Sequence, residues 1–259
     1  MARCWCAIGV ATMLAACGGK SKEIVASPAS NDGAGAATSV VITLDTEEDM
    51  LEVDELRAAT EPCGDLLAIE PLAMMGKLKD PQVRCLDDSL GNAEKQTVKD
   101  KISRVLMTDA YAKGDLHRWE AVAKRHFETI DRSDPDLCYK YALHLLNNSP
   151  ADRMDEAMRW ADVSLENRAV WSGDLFVQRV YSLYKLKALA AQKKWNWMEE
   201  EHVRAPTDSL SVGKEEARNL TKTYSREWLE YARQAGKDTT LATQMCMSAA
   251  GTEEFCAAL

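Results

Sequence analysis

Tyr111-Ala112-Lys113-Gly114-Asp115 lies between two segments with helical periodicity, and this junction sets the expectation for the fold. In residues 97–113 one helical face carries Ile102, Val105, Leu106 and Ala110. In residues 115–130 the apolar stripe consists of Leu116, Trp119, Val122, Ala123, Phe127 and Ile130. Because glycine commonly ends a helix and aspartate commonly begins one, the junction predicts a pair of antiparallel helices.

Two more helix pairs are expected downstream. Residues 137–146 and 154–165 form the second pair, separated by Asn147-Asn148-Ser149-Pro150. The third pair is expected over residues 174–186 and, after Lys193-Lys194-Trp195, up to Pro206. Three second-helix positions lie 38 residues apart, which indicates a repeat of helix pairs. These positions are Trp119, Ala157 and Trp195.

These helix pairs resemble tetratricopeptide repeats over residues 99–206. The likeness rests on the tyrosine before a Gly-Asp turn and on Asp155-Glu156-Ala157 at the start of a second helix. The chain departs from the family in its longer period and in lacking the glycine expected inside each first helix. The resemblance implies an all-α solenoid, and the alternative is an unrelated helical bundle.

Shorter helices are expected on both sides of the repeats, within a domain spanning residues 61–259. Residues 65–78 and 81–90 predict an N-terminal helical hairpin, with Asp80 capping the second helix ahead of Pro81. Residues 214–234 predict a long helix that ends before Gly236, followed by a last helix from residue 238. This C-terminal part is expected to cap the repeats.

The beginning of the chain resembles a bacterial lipoprotein signal. Leu14-Ala15-Ala16-Cys17 ends a short apolar segment that is too short to cross a bilayer. The resemblance implies removal of residues 1–16, lipidation of Cys17, and a flexible tether over residues 17–60. Gly18 after the cysteine implies sorting to the outer membrane, with the domain facing the periplasm. The alternative is an ordinary secretory signal.

One segment of the predicted tether stands out by its apolar side chains. Ser39-Val40-Val41-Ile42-Thr43-Leu44 is strand-like. It could add to the sheet edge of a partner, but an isolated strand is marginal. An apolar patch within the tether, or a segment lying on the domain, is the better interpretation.

Five cysteines follow Cys17, and the simplest disulfide pairing is local. It joins Cys63 to Cys85 and Cys246 to Cys256, and it leaves Cys138 as a small buried residue. Fifteen pairings leave one of five cysteines free, so the sequence alone does not select this one. The spacings lack the paired Cys-x-x-Cys ligands of a zinc site, and no metal is expected there.

The charge balance excludes some partners. Arg3 is the only charged residue before Cys17, so the rest of the chain has 31 basic and 41 acidic side chains and a net charge of −10. Nucleic acid and anionic lipid surfaces both attract basic patches. We therefore expect no nucleic-acid partner, and contact with the membrane only through the lipid.

No catalytic motif is found in the sequence, and no enzymatic activity, cofactor or metal is expected. His202 follows Glu199-Glu200-Glu201, but these side chains fan around a helix, so a solvated acidic face is the better interpretation. Aromatic residues near the third pair are the candidates for partner binding. They are Trp195, Trp197, Tyr181 and Tyr184. Trp195 and Trp197 point in different directions on a helix, so one is either an exposed anchor or a helix cap.

These features together predict a lipid-anchored scaffold that binds envelope proteins. The segments Lys99-Asp100-Lys101-Ile102-Ser103-Arg104-Val105-Leu106 and Trp160-Ala161-Asp162 are similar to the tetratricopeptide-type lipoproteins of myxobacterial gliding machines. That resemblance implies a structural role at the outer membrane. The alternatives are a pilotin-like lipoprotein that helps an outer-membrane channel assemble, and a ligand-binding or enzymatic lipoprotein whose site forms only in the fold.

Overall fold

The computed structural model describes residues 47–250 and 252–257, which are all-α. Within these residues the chain forms eleven α-helices and no strand. They are α1 (Glu47–Thr60), α2 (Leu66–Met74), α3 (Asp80–Asn92), α4 (Gln96–Ala112), α5 (Leu116–Thr129), α6 (Pro135–Asn148), α7 (Met154–Glu166), α8 (Gly173–Arg204), α9 (Asp208–Gln234), α10 (Thr240–Ala250) and α11 (Glu253–Ala257). Of these helices, none combines the length and hydrophobicity needed to span a bilayer.

The predicted signal segment, Cys17 and the strand-like residues 39–44 lie outside the described residues.

Most predicted helices are confirmed with ends close to the predicted ones, because their capping residues act locally. Asp115 begins α5 by accepting a hydrogen bond from the Arg118 amide at 3.0 Å. Asp134 begins α6 by accepting from the amides of Asp136 and Leu137 at 2.9 and 3.0 Å. These side chains satisfy amides that have no partner within the helix.

The chain is already helical at Glu47, within the part predicted to be tether. Helix α1 runs beside α3 and α4, where Leu56 is buried and Glu55 pairs with Lys95 at 2.7 Å. In the sequence, the acidic side chains around Leu56 are typical of a solvated segment, so the sequence does not predict a helix here. The folded domain therefore begins earlier than residue 61.

The predicted division of the third helix pair is wrong, because α8 is one continuous helix of 32 residues. No glycine or proline occurs between Asp174 and Ala205, so nothing in the chain breaks the helix. Lys193, expected in a turn, donates to the carbonyls of Leu146 and Ser149 at 2.8 and 2.9 Å. Lys194 binds Asp155 at the start of α7. The antiparallel partner of α8 is thus α9, and Trp195 is not equivalent to Trp119 and Ala157.

Successive helices pack on one another around a shared core. Helix α4 packs on α5, α6 on α7, α7 on α8, and α8 on α9, while α10 covers α9. Aromatic rings fill the interfaces of α5, α6 and α7: the Phe127 and Trp160 rings stack with centroids 4.1 Å apart, and Tyr141 meets both edge-on. The result is a contiguous core from Leu56 to Ala191.

Both predicted disulfides are present. Cys63 joins Cys85 in α3, with Cα atoms 5.4 Å apart, and Cys246 in α10 joins Cys256 in α11. Cys138 is free and buried, as predicted. The bridges therefore attach the turn after α1 to α3, and the last described helix to α10.

The turn between α2 and α3 is held tightly against the end of α4. The Leu78 amide donates to the buried Asp109 carboxylate at 3.1 Å, and Lys113 donates to the Leu78 carbonyl at 2.5 Å. Gly76 has φ +64°, and a Cβ there would lie 3.0 Å from the Ala112 and Lys113 backbone. Gly76 is thus required both by its conformation and by the close approach.

Replacing Gly76 by alanine is expected to lower the free energy of unfolding by at least about 2 kcal/mol, since the methyl group meets backbone atoms. Gly114→Ala is the matched control. Gly114 has a similar φ of +73° but nothing within 4 Å, so its loss should be about 1 kcal/mol. Urea unfolding of both variants checks this, and equal losses would contradict the close approach.

Lys193→Met is expected to lower the free energy of unfolding by about 1–3 kcal/mol, because it leaves two carbonyls at the end of α6 without their donor. Lys194→Met should cost less than about 1 kcal/mol, since its partner Asp155 is exposed to solvent. Thermal and urea unfolding distinguish the two variants. A Lys193 variant as stable as the wild type would show that the contact does not hold α8 to α6.

Candidate protein-binding surface

Helix α8 continues well past its contact with the end of α6. Lys193 meets the end of α6, and eleven further residues lead to Arg204, which is a length of about 16 Å. Helix α9 begins at Asp208 and runs back along α8. We call residues 195–216 the tip of this hairpin. Inside it, a Cβ at Gly213 would lie 3.0 Å from the end of the Met198 side chain, so the two helices approach closely.

Two adjoining surface depressions of about 410 and 450 Å³ lie along one face of α8. They share Glu200, and the other lining residues are Ala151, Leu189, Gln192, Lys193, Asn196, Trp197, Glu199, Val203 and Arg204. Residues 189, 193, 196, 200 and 203 recur at steps of three and four, which places them on one side of the helix. We call this side the α8 stripe. Val203 on it is 78 % exposed.

The structure separates the four predicted partner-binding residues. Trp197 lines the α8 stripe, whereas Trp195 is half-buried and, two positions away, lies on another side of the helix. Tyr181 and Tyr184 are packed nearer the start of α8, with ring centroids 6.0 Å from Trp228 and 5.3 Å from Tyr231. Of the four, only Trp197 thus lines the stripe.

Sequence reasoning missed the other residues of the stripe because it placed a break at residues 193–195. With a break, Leu189 and Val203 belong to different helices and their spacing has no meaning. The signal that could have revealed the stripe is the absence of glycine and proline between residues 174 and 205.

A polar network that contains strongly shifted side chains lies elsewhere and joins α5, α6 and α7. Glu120 pairs with Arg153 at 2.8 Å, with Lys124 at 2.9 Å and with His144 at 3.3 Å. Tyr141 donates to Glu120, and Arg153 also binds Glu156. Burial alone would raise the pKa of Glu120, but the hydrogen bonds from Lys124, Arg153 and His144 lower it to about 2.

This network holds helices together and lacks the layout of a reaction site. Its phenol is fully buried, and burial together with the neighbouring carboxylates raises the pKa of Tyr141. None of its six residues lines either depression on α8. Structural ion-pair networks shift pKa values as active sites do, so the shift alone assigns no catalysis.

A serine, a histidine and an aspartate also meet between α4 and α5. Ser103 Oγ and His126 Nδ1 are 3.1 Å apart, and Asp100 lies 3.7 Å from His126 Nε2. In a nucleophilic triad the serine bonds Nε2 and the carboxylate bonds Nδ1, which is the reverse of this arrangement. Both Ser103 and His126 are fully buried, so no substrate reaches the hydroxyl.

The carboxylates and histidines of the described residues form no group of three or more that could hold a metal ion. His202 and Glu199–Glu201, weighed as a metal site in the sequence, lie at the end of α8.

The His126 environment predicts acid sensitivity. Burial lowers the pKa of His126 below its usual value near 6.5, and Asp100 only partly opposes this. The His126 imidazole is therefore protonated less readily in the folded protein than in the unfolded chain. The free energy of unfolding therefore has its full value, as far as His126 affects it, above pH 6.5. Below pH 6.5 it decreases by up to about 1.4 kcal/mol per pH unit.

His126→Gln should flatten this slope of unfolding free energy between pH 7 and 5. His117→Gln, at an exposed position in α5, should leave it unchanged. Urea unfolding at several pH values measures both, and an unaltered slope in the His126 variant would contradict the assignment.

The surface on α8 is thus an open candidate site. No protein-family model, no curated protein and no solved structure matches this chain. A functional assignment accordingly depends on its own residues and contacts.

Proposed function

We propose that this protein is a lipid-anchored envelope scaffold that binds other proteins through the α8 stripe. The observation that carries the proposal is the stripe itself. It combines half-buried Leu189 with Trp197 and Val203 along one face of α8, and the part of that face after Lys193 continues past the end of α6. Large aromatic anchors on a rigid helix are the residues that contribute most at protein interfaces.

The rigidity of the surface supports a scaffold role. Lys187, in the middle of α8, pairs with Asp162 of α7 at 2.8 Å and with Glu227 of α9 at 3.4 Å, and its ammonium lies 4.1 Å from the Tyr224 ring. Lys193 and Lys194 fix the same helix to α6 and α7. A surface built on a fixed helix loses little conformational entropy when a partner binds.

The helix pairs give this scaffold its proposed class. Helices α4–α5, α6–α7 and α8–α9 follow one another as antiparallel neighbours, and we propose that they are tetratricopeptide-like units of a short solenoid. Such stacks commonly offer surfaces to segments of other proteins.

Attachment to the membrane is the second part of the proposal. It rests on the sequence Leu14-Ala15-Ala16-Cys17, with lipid on Cys17 and a tether leading to the domain. Gly18 supports the outer membrane, and the likeness of residues 99–106 to lipoproteins of gliding machines supports a structural role in a motility complex. The shifted groups of the Glu120 network lie in a helix interface, which favours a scaffold over an enzyme.

Site-specific photocrosslinking in the native host tests the binding surface. A photoreactive residue in place of exposed Asn196 should yield a defined crosslinked protein, and the same residue at exposed Thr223 of α9 should not. Adding Trp197→Ala should reduce the Asn196 crosslink several-fold, because the anchor is lost. Absence of any crosslink at Asn196, or equal products at Thr223, would contradict the proposed surface.

Membrane attachment is tested separately. Cys17→Ala should move the protein from the outer-membrane fraction to the soluble periplasmic fraction, since a single cysteine carries the acyl chains. Unchanged sedimentation with membranes would contradict the anchor without affecting the surface on α8.

A further inference from the structure

We infer that the α8 stripe binds a basic amphipathic helix of its partner. This inference rests on the proposed function and specifies the chemistry of the partner at the same surface. It is carried by the unpaired carboxylates of the stripe and by the straight row of side chains along one side of α8.

The carboxylates of the stripe are free to bind a cation. Glu199 and Glu200 are exposed, and neither forms an ion pair with any other described residue. The two basic side chains that line the depressions are already engaged. Lys193 donates to two carbonyls of the α6 end, and Arg204 pairs with Glu201 at 2.5 Å. Lys193 keeps its positive charge but is directed at the end of α6, so the lining leaves the Glu199 and Glu200 carboxylates without an ion-pair partner among the described residues.

The second helix of the tip is acidic as well. Between residues 195 and 216 the tip contains six carboxylates and two basic side chains, Arg204 and Lys214. Glu216 on α9 is exposed and forms no ion pair within the described residues, and exposed Glu215 reaches Arg218 only at 3.7 Å. Complementary charge selects a partner with lysine or arginine and repels an anionic membrane surface.

The geometry of the stripe indicates the shape of the partner. Positions 189, 193, 196, 200 and 203 form a straight seam along one side of α8, with apolar Leu189 and Val203 at its ends and polar Lys193, Asn196 and Glu200 between them. A seam of this kind accepts a helix that carries both apolar and charged side chains. Leu189, Trp197 and the stem of Lys193 lie at the inner end of the seam, and Val203 lies at its outer end. A helix laid along this seam would bring its flanking basic side chains to Glu199 and Glu200.

Fluorescence anisotropy with a defined probe tests the inference on the full folded chain. The probe is a fluorescein-labelled amphipathic peptide of leucine and lysine, and its counterpart has glutamate in place of lysine. The lysine peptide should bind, and its affinity should decrease as salt is added. The glutamate peptide should not bind.

Variants locate the binding. Glu199→Gln with Glu200→Gln should weaken the lysine peptide by at least about threefold at low ionic strength, because two charge pairs are lost. Asp88→Asn with Glu94→Gln removes the same charge from exposed positions of α3 and the turn after it, and should change affinity by less than about twofold. Trp197→Ala should weaken binding independently of salt.

Equal losses in the two double variants would overturn the inference, since they would show general attraction to an acidic protein. Tighter binding of the glutamate peptide, or self-association of the chain that the lysine peptide does not displace, would overturn it as well.

The same variants separate this inference from the proposed function. Suppose that the Asn196 crosslink forms in cells and also forms in the Glu199→Gln, Glu200→Gln variant. The proposed protein-binding surface is then supported, and the inference that its partner is a basic helix is wrong. If no crosslink forms at Asn196, the proposed function fails whatever the peptide does.

Discussion

The ammonium group of Lys193 binds the two carbonyls that end α6, and the position of α8 depends on this contact. Helix ends leave carbonyls without partners, and a lysine from a neighbouring helix satisfies them. One turn and a half earlier, buried Lys187 is held by Asp162 and Glu227 of the two flanking helices. Because both lysines belong to one unbroken helix, the rest of α8 is directed away from the body, with α9 as its support.

Polar groups inside the body serve packing, and the open surface carries the candidate function. The Glu120 network and the Ser103–His126 pair each join two or three helices, and their pKa shifts arise from burial and ion pairing. Ser103 and His126 are fully buried, and the Glu120 carboxylate is occupied by its own ion pairs. The α8 stripe has the opposite character, since its carboxylates are unpaired and its tryptophan lines an open depression. Ion pairs inside the body keep it rigid, and unpaired carboxylates on the α8 stripe leave charge available to a partner. Both properties suit a rigid body that recognises another protein.

The sequence predicts those features that depend on neighbouring residues. Helix ends are set within one turn by residues such as Asp115, Asp134 and Gly114, so the sequence predicts those ends closely. The two disulfides are predictable because each joins cysteines that are near one another in the chain. Contacts over long separations were not predictable. Lys193 meets residues 44 and 47 positions away, and without those partners a Lys-Lys pair resembles a turn. The Glu120 network likewise joins side chains from three helices. The relative positions of these helices are set by tertiary packing, which the local sequence does not reveal.

Hydrogen exchange across α8 tests the central claim most directly, because a continuous helix and a broken one differ in backbone protection at residues 192–198. An unbroken α8 predicts that these amides exchange nearly as slowly as those of residues 183–191, since they are bonded within the same helix and the segment is fixed to α6. Exchange at the rate of an unstructured peptide would contradict the continuous helix. The α8 stripe would then not exist as a single surface.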